Sequence, residues 1–535
     1  MQVTDGRGGT SEATVSLTIN PPNAVPVAGD DAGLGTAYGA ALVIDPAALL
    51  ANDTDADGDT LVIQSVAAGI GGSVVLDAEG RIVFTPADGF SGEASFAYTV
   101  FDGKGGTASA TVTVTVAPYV PVGTPGDDAL VGTVGDDVIL AGAGDDLVQA
   151  GAGNDVVDGG DGDDELHGED GDDVLKGGAG DDLLFGGAGD DVLAGGAEDD
   201  RLDGGDGNDT ADYSDDTAGV TVDLSQGIAF GDESGEDELI SIENVIGGAG
   251  NDILIGDDGA NRLVGGAGDD VIRAGGGDDL IVAGAGHDVI DGGDGFDTLD
   301  LSAATGAVSV DFAAGKASGE GIGTNSFSNI EKLLFGAGND VVTGGNGDDA
   351  FDGGAGNDTL KGGAGNDTLW GGEGDDALDG GSGDDDVFGG TGNDVIRAGS
   401  GNDRVEGGEG DDVIDAGSGD DLVFGGAGND VIDGGSGDDR IEGGAGDDIL
   451  AGGSGHDVFV FAAGFGKDVI TDFKTSGSSS DVLEFSVGLF ADFEAAMESA
   501  AQLGADTVFT VDADTTLTLK GIQLSSLAQD DFRFA

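Results

Sequence analysis

Gly177-Gly178-Ala179-Gly180-Asp181-Asp182-Leu183-Leu184-Phe185, or GGAGDDLLF at 177–185, is the stretch on which the reading of this chain turns. The same pattern, GGxGxDxUx with U apolar, fills three unbroken runs, residues 123–212, 247–300 and 335–460. They hold ten, six and fourteen units, together 270 of the 535 residues. The sixth place is Asp in 29 of the 30 units, with Asn261 the exception, and the fourth is Gly in 29, with Glu198 the exception. The eighth is apolar throughout. Self-similarity at a fixed period marks a repeat architecture, in which each unit buries its apolar face only by stacking on its neighbours. A merely acidic low-complexity tract has composition but no register.

The chemistry follows from the residue types. Glycine permits backbone angles closed to residues with a Cβ, so the chain can curl tightly and aim carbonyl oxygens at one point. The sixth-place Asp adds a carboxylate there. A hard cation such as calcium takes six to eight oxygens at flexible geometry, which carbonyls and carboxylates supply. The next three residues form a short strand whose middle member, Leu184 in this unit, points inward while its neighbours point outward. Two units then make one 18-residue coil, with ions between stacked turns. The expected fold class is therefore all-β, a parallel β-helix or β-roll solenoid. The candidate ligands are Asp128, Asp137, Asp146, Asp155, Asp164, Asp173, Asp182, Asp191, Asp200 and Asp209 in the first run. Asp252, Asp270, Asp279, Asp288 and Asp297 follow in the second. The third supplies Asp340, Asp349, Asp358, Asp367, Asp376, Asp385, Asp394, Asp403, Asp412, Asp421, Asp430, Asp439, Asp448 and Asp457.

GGAGDDLLF at 177–185 and GGAGNDVID at 425–433 closely resemble the consensus of the RTX (repeats-in-toxin, hemolysin-type calcium-binding) family. The resemblance covers 123–460 and implies the β-roll fold and bound calcium. It does not imply toxicity, because secreted enzymes, adhesins and surface-layer proteins carry the same module.

Residues 24–117 differ. Alternating apolar runs (LVIQSV, SVVLD, RIVFTP, SFAYTV, TVTVTV) separated by turn residues predict an all-β sandwich. The stretches NDTDADGDTL (52–61), FTPADGFSGEASFAYTV (84–100) and DGKGGTASATVTV (102–114) resemble a cadherin-like or tandem-95 domain of bacterial adhesins. Asp53, Asp55, Asp57 and Asp59 alternate like loop calcium ligands, with Asp30, Asp31 and Asp102 as further candidates; an acidic turn is the plain alternative. Residues 3–19 align with 100–116 at an offset of 97, so 1–20 read as the C-terminal remnant of another such domain, and a larger parent protein is expected.

Two 34-residue inserts, 213–246 and 301–334, interrupt the nonapeptides. They match at an offset of 88: Val220-Thr221-Val222-Asp223-Leu224 with Val308-Ser309-Val310-Asp311-Phe312, and Ile242-Glu243 with Ile330-Glu331. They read as metal-free coils continuing the stack, with a grafted binding lobe as the alternative. In 461–535, FGKDVITDFK and DVLEFS look like strands and TVFTVDADTTLTLKG like a hairpin. Residues 490–503 look like an amphipathic helix with Asp492 as cap and Gly504 as stop. This region resembles the C-terminal part of type I-secreted RTX proteins, where the export signal lies; a cap over the open end of the solenoid is compatible with that.

The net charge is −90, from 17 basic and 107 acidic residues. Much of the acid sits at fixed ligand places, so the charge is a demand for cations. A polyanion of this size is a poor partner for nucleic acid. There is no Cys, hence no disulfide scaffold. No 18-residue apolar run exists to make a transmembrane helix. No catalytic constellation stands out: His167, His287 and His456 sit at outward repeat positions, and neither HExxH nor GxSxG occurs. The expectation is a non-enzymatic, extracellular calcium-binding protein of a Gram-negative bacterium, passed through a type I ABC exporter. It would be the C-terminal part of an adhesin or matrix protein with a cell-surface or matrix ligand. The alternative is the calcium-binding portion of a larger exported protease, lipase or epimerase.

Overall fold

The computed structural model describes residues 2–4, 10–12, 23–475, 477 and 480–535. Most of the 1–20 remnant lies outside the described residues; within it Gln2–Thr4 pairs antiparallel with Thr10–Glu12. The chain divides into two compact units, Met1–Leu175 and Lys176–Ala535, and the division falls inside the first run of nonapeptides.

The first unit opens with the sandwich. Asp31–Thr36, Thr107–Val116, Gly92–Phe101 and Val62–Ala68 form one sheet in that order, and Leu42–Ile44, Ile82–Pro86 and Gly72–Leu76 the other. Alternation along the long strands puts Ala94, Phe96, Tyr98 and Val100 inward, and likewise Val112, Val114 and Val116. They pack with Ile82, Phe84 and Leu49 into one core. Further along this unit the first nonapeptide strands pair in parallel, Ala129–Val131 with Leu147–Ala152 and Val138–Ala143 with Val156–Asp161.

The second unit is a parallel β-solenoid. Successive units send their strands alternately to two sheets, so partners stand 18 residues apart. Leu360, Leu378, Ile396 and Ile414 stand opposite one another in succession along one sheet, and Leu369, Val387, Val405 and Val423 along the other. These eighth-place side chains are fully buried. The glycines are required by close approach as much as by conformation. Gly374, in the fourth place, has φ +131°, and a Cβ there would lie 1.8 Å from Gly356 O of the preceding coil. Where the repeat has Glu instead, at Glu169 and Glu198, the backbone still adopts φ of 80° and 83°. The stack imposes the turn on a side chain that resists it.

Each insert is more than a plain coil. Val220–Asp223, Ile228–Gly231 and Gly235–Ile240 form an antiparallel meander, and Val308–Asp311, Lys316–Gly319 and Gly323–Ser328 repeat it. The outer strands of each meander return to parallel pairing with the nonapeptide strands on either side.

At the C-terminus one expectation is corrected. The helix is only Phe493–Ser499, capped by Asp492, whose carboxylate accepts from Ala495 N. Ala500–Leu503 is instead a strand, paired antiparallel with Asp506–Thr510 through the turn at Gly504. Helix-forming residues yield because sheet pairing occupies their backbone groups. Asp506–Thr510 then pairs with Thr516–Leu519, and Phe532–Phe534 runs parallel to Val482–Phe485. Phe485 packs against Phe461, Phe490, Phe509 and Phe532 in the core of this region.

Candidate metal centre

The sixth-place aspartates line up as a ladder. Asp358 N donates to Asp376 Oδ1 at 2.7 Å, Asp376 N to Asp394 Oδ1 at 2.8 Å, and Asp394 N to Asp412 Oδ1 at 2.8 Å. The Asp376 carbonyl accepts from Val395 N at 2.8 Å. One carboxylate oxygen and both backbone groups of each Asp are thus committed to the neighbouring coils. The other oxygen, Oδ2, is buried and without a hydrogen-bond partner at every sixth-place Asp between 358 and 457. The same holds for Asp146, Asp155, Asp200, Asp209, Asp270, Asp279, Asp288, Asp297 and Asp340.

A buried carboxylate oxygen with no partner is costly, and a whole file of them needs a common explanation. The surroundings supply it. A Cβ on Gly371 would lie 2.3 Å from Asp376 Oδ2 and 2.5 Å from Gly389 O of the next coil. A carboxylate oxygen and a carbonyl oxygen therefore converge on one small space that the absent side chain leaves open. No donor reaches it. All-oxygen donors of this kind suit calcium.

The electrostatics agree. Burial first, and the charge of neighbouring ladder members second, pushes the carboxyls of Asp376, Asp385, Asp412 and Asp439 up to about 7. The Asp200 carboxyl rises to about 8, with Asp237 adding to the burial effect.

Not every candidate stands in this file. Asp128, Asp137, Asp252 and Asp349 fill their second oxygen from within their own unit, accepting from Thr124 N, Thr133 N, Gly248 N and Gly345 N. Asn261 closes on Asp257 N with its oxygen and donates Nδ2 to Glu243 O at 2.8 Å. All five lie in the first two units of a run, where the coil before is not a nonapeptide coil. Asp340 shares that position yet keeps its oxygen unpartnered.

The inserts carry the ladder forward with residues the repeat pattern does not mark. Asp200 N donates to Asp237 Oδ1 and Asp209 N to Glu243 Oε2. In the second insert Asp288 N donates to Asn325 Oδ1 and Asp297 N to Glu331 Oε2. The Ile-Glu match between the two inserts was the available signal for Glu243 and Glu331. Nothing in the sequence pointed to Asp237, which Tyr213 Oη holds at 2.9 Å.

In the sandwich, Asp55, Asp57 and Asp59 come together with oxygens within 4.8 Å of one another. Asp53 is engaged elsewhere, accepting from Gly29 N and lying 3.1 Å from Tyr98 Oη. Asp102 accepts from the backbone of its own turn, at Lys104, Gly105 and Gly106, and Asp30 from Thr111 N. Lys104 Nζ, 2.6 Å from Asp59 Oδ1, already places a cation beside the trio.

Comparison with known proteins agrees with this geometry. The RTX calcium-binding nonapeptide repeat matches residues 122–157, 158–193, 185–216, 241–272, 264–299, 336–360, 352–387, 388–423 and 424–459. That is more than half of the chain, and the protein belongs to the RTX calcium-binding repeat family. The cadherin-like domain family matches residues 22–117. No curated protein matches the chain. Among solved structures, an extracellular lipase, LipA from Serratia marcescens, is 22% identical at a TM-score of 0.20, over 54% of this chain and 40% of that one. Tandem Ig repeats of Dlar are 15% identical at a TM-score of 0.12, over 20% of this chain and 59% of that one. The chain thus spans less than two thirds of either structure.

The nonapeptide solenoid is a structural, calcium-binding fold rather than a catalytic one, and RTX repeat proteins are typically secreted. Among the described residues no helix is long and apolar enough to cross a membrane.

Proposed function

We propose that this chain is a secreted or cell-surface adhesin or matrix protein of a Gram-negative bacterium that folds when it meets calcium outside the cell. The observation that carries the reading is the file of buried Oδ2 atoms without donors. Such a stack lacks a counter-charge until cations enter, and its ligands come from different coils, so binding and folding are one event. Asp146, Asp155, Asp376 and their equivalents would hold the ions, together with carbonyls such as Gly389 O. Calcium would supply the neutralising charge and cross-link successive coils. The cadherin-like domain, and the second copy of its final strand pattern at 3–19, support an extender role and hence the adhesin reading.

Far-UV circular dichroism during a calcium titration tests the core of this reading. Extracellular calcium modules bind at about 10⁻⁴–10⁻³ M. Mostly coil in chelator and β structure in millimolar calcium is expected; a spectrum unchanged by chelation at low salt would refute it.

Export is proposed to run through a type I ABC exporter, with the signal in 461–535. A chain unfolded at cytosolic calcium can thread a narrow channel, and folding outside opposes its return. Deleting 461–535 should abolish appearance in the medium, whereas deleting 1–122 should not. Normal external levels of the chain lacking 461–535, without lysis, would leave that segment as a cap only.

A further inference from the structure

Beyond residue 460 the nonapeptide pattern stops, yet the first strand that follows is laid down as another repeat. Lys467–Ile470 pairs parallel with Ile449–Ala451, Ile449 facing Val469 and Leu450 facing Ile470, an offset of 20 residues instead of 18. Gly466 has φ +76°, and a Cβ there would lie 1.9 Å from Gly446 O, itself a fourth-place glycine. Counting from Gly466 puts Asp468 in the sixth place and Ile470, fully buried, in the eighth.

Asp468 behaves accordingly. Its Oδ1 accepts from Asp448 N at 3.1 Å. Its Oδ2 has no hydrogen-bond partner, nor has Asp448 Oδ2, and the two residues are 1% and 0% exposed. This is the arrangement found between successive coils of the long run, reached through a sequence that a two-residue slip hides.

We propose that Asp468 is a further calcium ligand, forming with Asp448 a site one step past the last nonapeptide that fastens the C-terminal segment to the repeats.

The other ladder ends without such a site. Asp481 Oδ1 accepts from Asp457 N and its Oδ2 from Lys474 N, at 3.3 and 2.8 Å, so both oxygens are used by the chain itself. Lys474 Nζ meanwhile donates to Gly453 O. Asp481 is therefore an internal control for Asp468. The Asp468 site also reaches further into the segment: Thr516 N donates to Gly466 O, and Lys467–Ile470 pairs with Thr516–Leu519.

The proposal rests on the calcium reading of the repeats, and the test separates the two. Hydrogen exchange is followed by mass spectrometry on the full chain across a calcium titration, for the wild type and for Asp468→Asn, Asp468→Glu and Asp481→Asn. Asparagine can still accept from Asp448 N, so Asp468→Asn removes the charge and leaves the ladder bond. The calcium midpoint for protecting 467–472 and 506–519 should rise on the order of tenfold in Asp468→Asn, because ligand charge sets affinity at such sites. Protection of 362–433 should keep its midpoint. Asp468→Glu should restore most of the loss and Asp481→Asn should leave the midpoint in place. An unchanged midpoint in Asp468→Asn, or a loss that Asp468→Glu does not restore, overturns the assignment. If calcium fails to protect 362–433 in the wild type, the reading of the repeats fails instead.

Discussion

The two residue types that define the repeat are held by different forces, and substitution separates them. Leu184 is wholly buried in the apolar stripe, whereas Asp421 is one proposed ligand among many. Leu184→Asp places an unpaired charge where no donor exists, at a cost of ~3–5 kcal/mol. Asp421→Ala weakens one ion site that adjacent coils can bridge. Leu184→Asp should therefore raise the calcium midpoint of folding more than Asp421→Ala, by circular dichroism; equal midpoints would place the eighth position outside the core. Glu198 offers the opposite sign. It sits at φ 83° in the place of a glycine. Glu198→Gly should stabilise the calcium-bound form by about 1 kcal/mol, read as a lowered calcium midpoint or a raised Tm.

At the level of elements, the inserts show how a solenoid tolerates interruption. Val289–Asp291 pairs with Gly323–Ser328, Thr298–Asp300 with Lys332–Leu334, and the next nonapeptide strands resume on top. The strands on either side keep their sheets, so the insert can in principle be lifted out whole. Deleting 301–334 brings Val289–Asp291 against Val341–Thr343 and Thr298–Asp300 against Ala350–Asp352 at the usual 18-residue spacing. The deleted chain should still show a cooperative calcium-dependent transition, with a midpoint closer to that of the wild type than Leu184→Asp gives. Loss of that transition would make the meander a structural keystone. The short C-terminal helix makes the complementary point. AAQL at 500–503 carries helix propensity, but its backbone is claimed by the strand beyond Gly504.

Over the whole molecule the dominant quantity is charge. The net −90 is distributed along ladders whose members repel one another once they are dehydrated. Without calcium, the folded form holds the carboxyls of Asp376, Asp385, Asp412 and Asp439 up near 7, against 3.8 for the free group. A pKa raised on folding means that the folded form binds protons more tightly than the unfolded one. The resulting stability is fully present below about pH 4 and is lost as pH rises through about 7. In chelator, β structure should thus increase as pH falls from 8 to 5, as protons partly replace calcium. In the presence of calcium the same protons compete for the ligands, so the calcium midpoint should rise on acidification. Circular dichroism of the chelated chain at both pH values checks the first statement. Equal coil content at pH 5 and pH 8 would mean that ladder repulsion does not control folding.

The sequence by itself determined the repeat, its period, the inward eighth place and the chemistry of the ion, because each of these is a local residue preference multiplied thirty times in register. GGAGDDLLF carries its own turn, carboxylate and core residue. Only the tertiary structure decided which carboxylates keep a buried oxygen without a donor. Asp349 and Asp376 occupy the same place in the same pattern, yet Gly345 N closes one while no donor reaches the other. That difference is one of three-dimensional packing and not of position in the run, since Asp340, also with no nonapeptide coil before it, keeps its Oδ2 without a donor. Asp237 and Asp468 entered the ladders for the same reason. Stacking accepts any carboxylate that pairing brings into line, whatever the spacing that led to it.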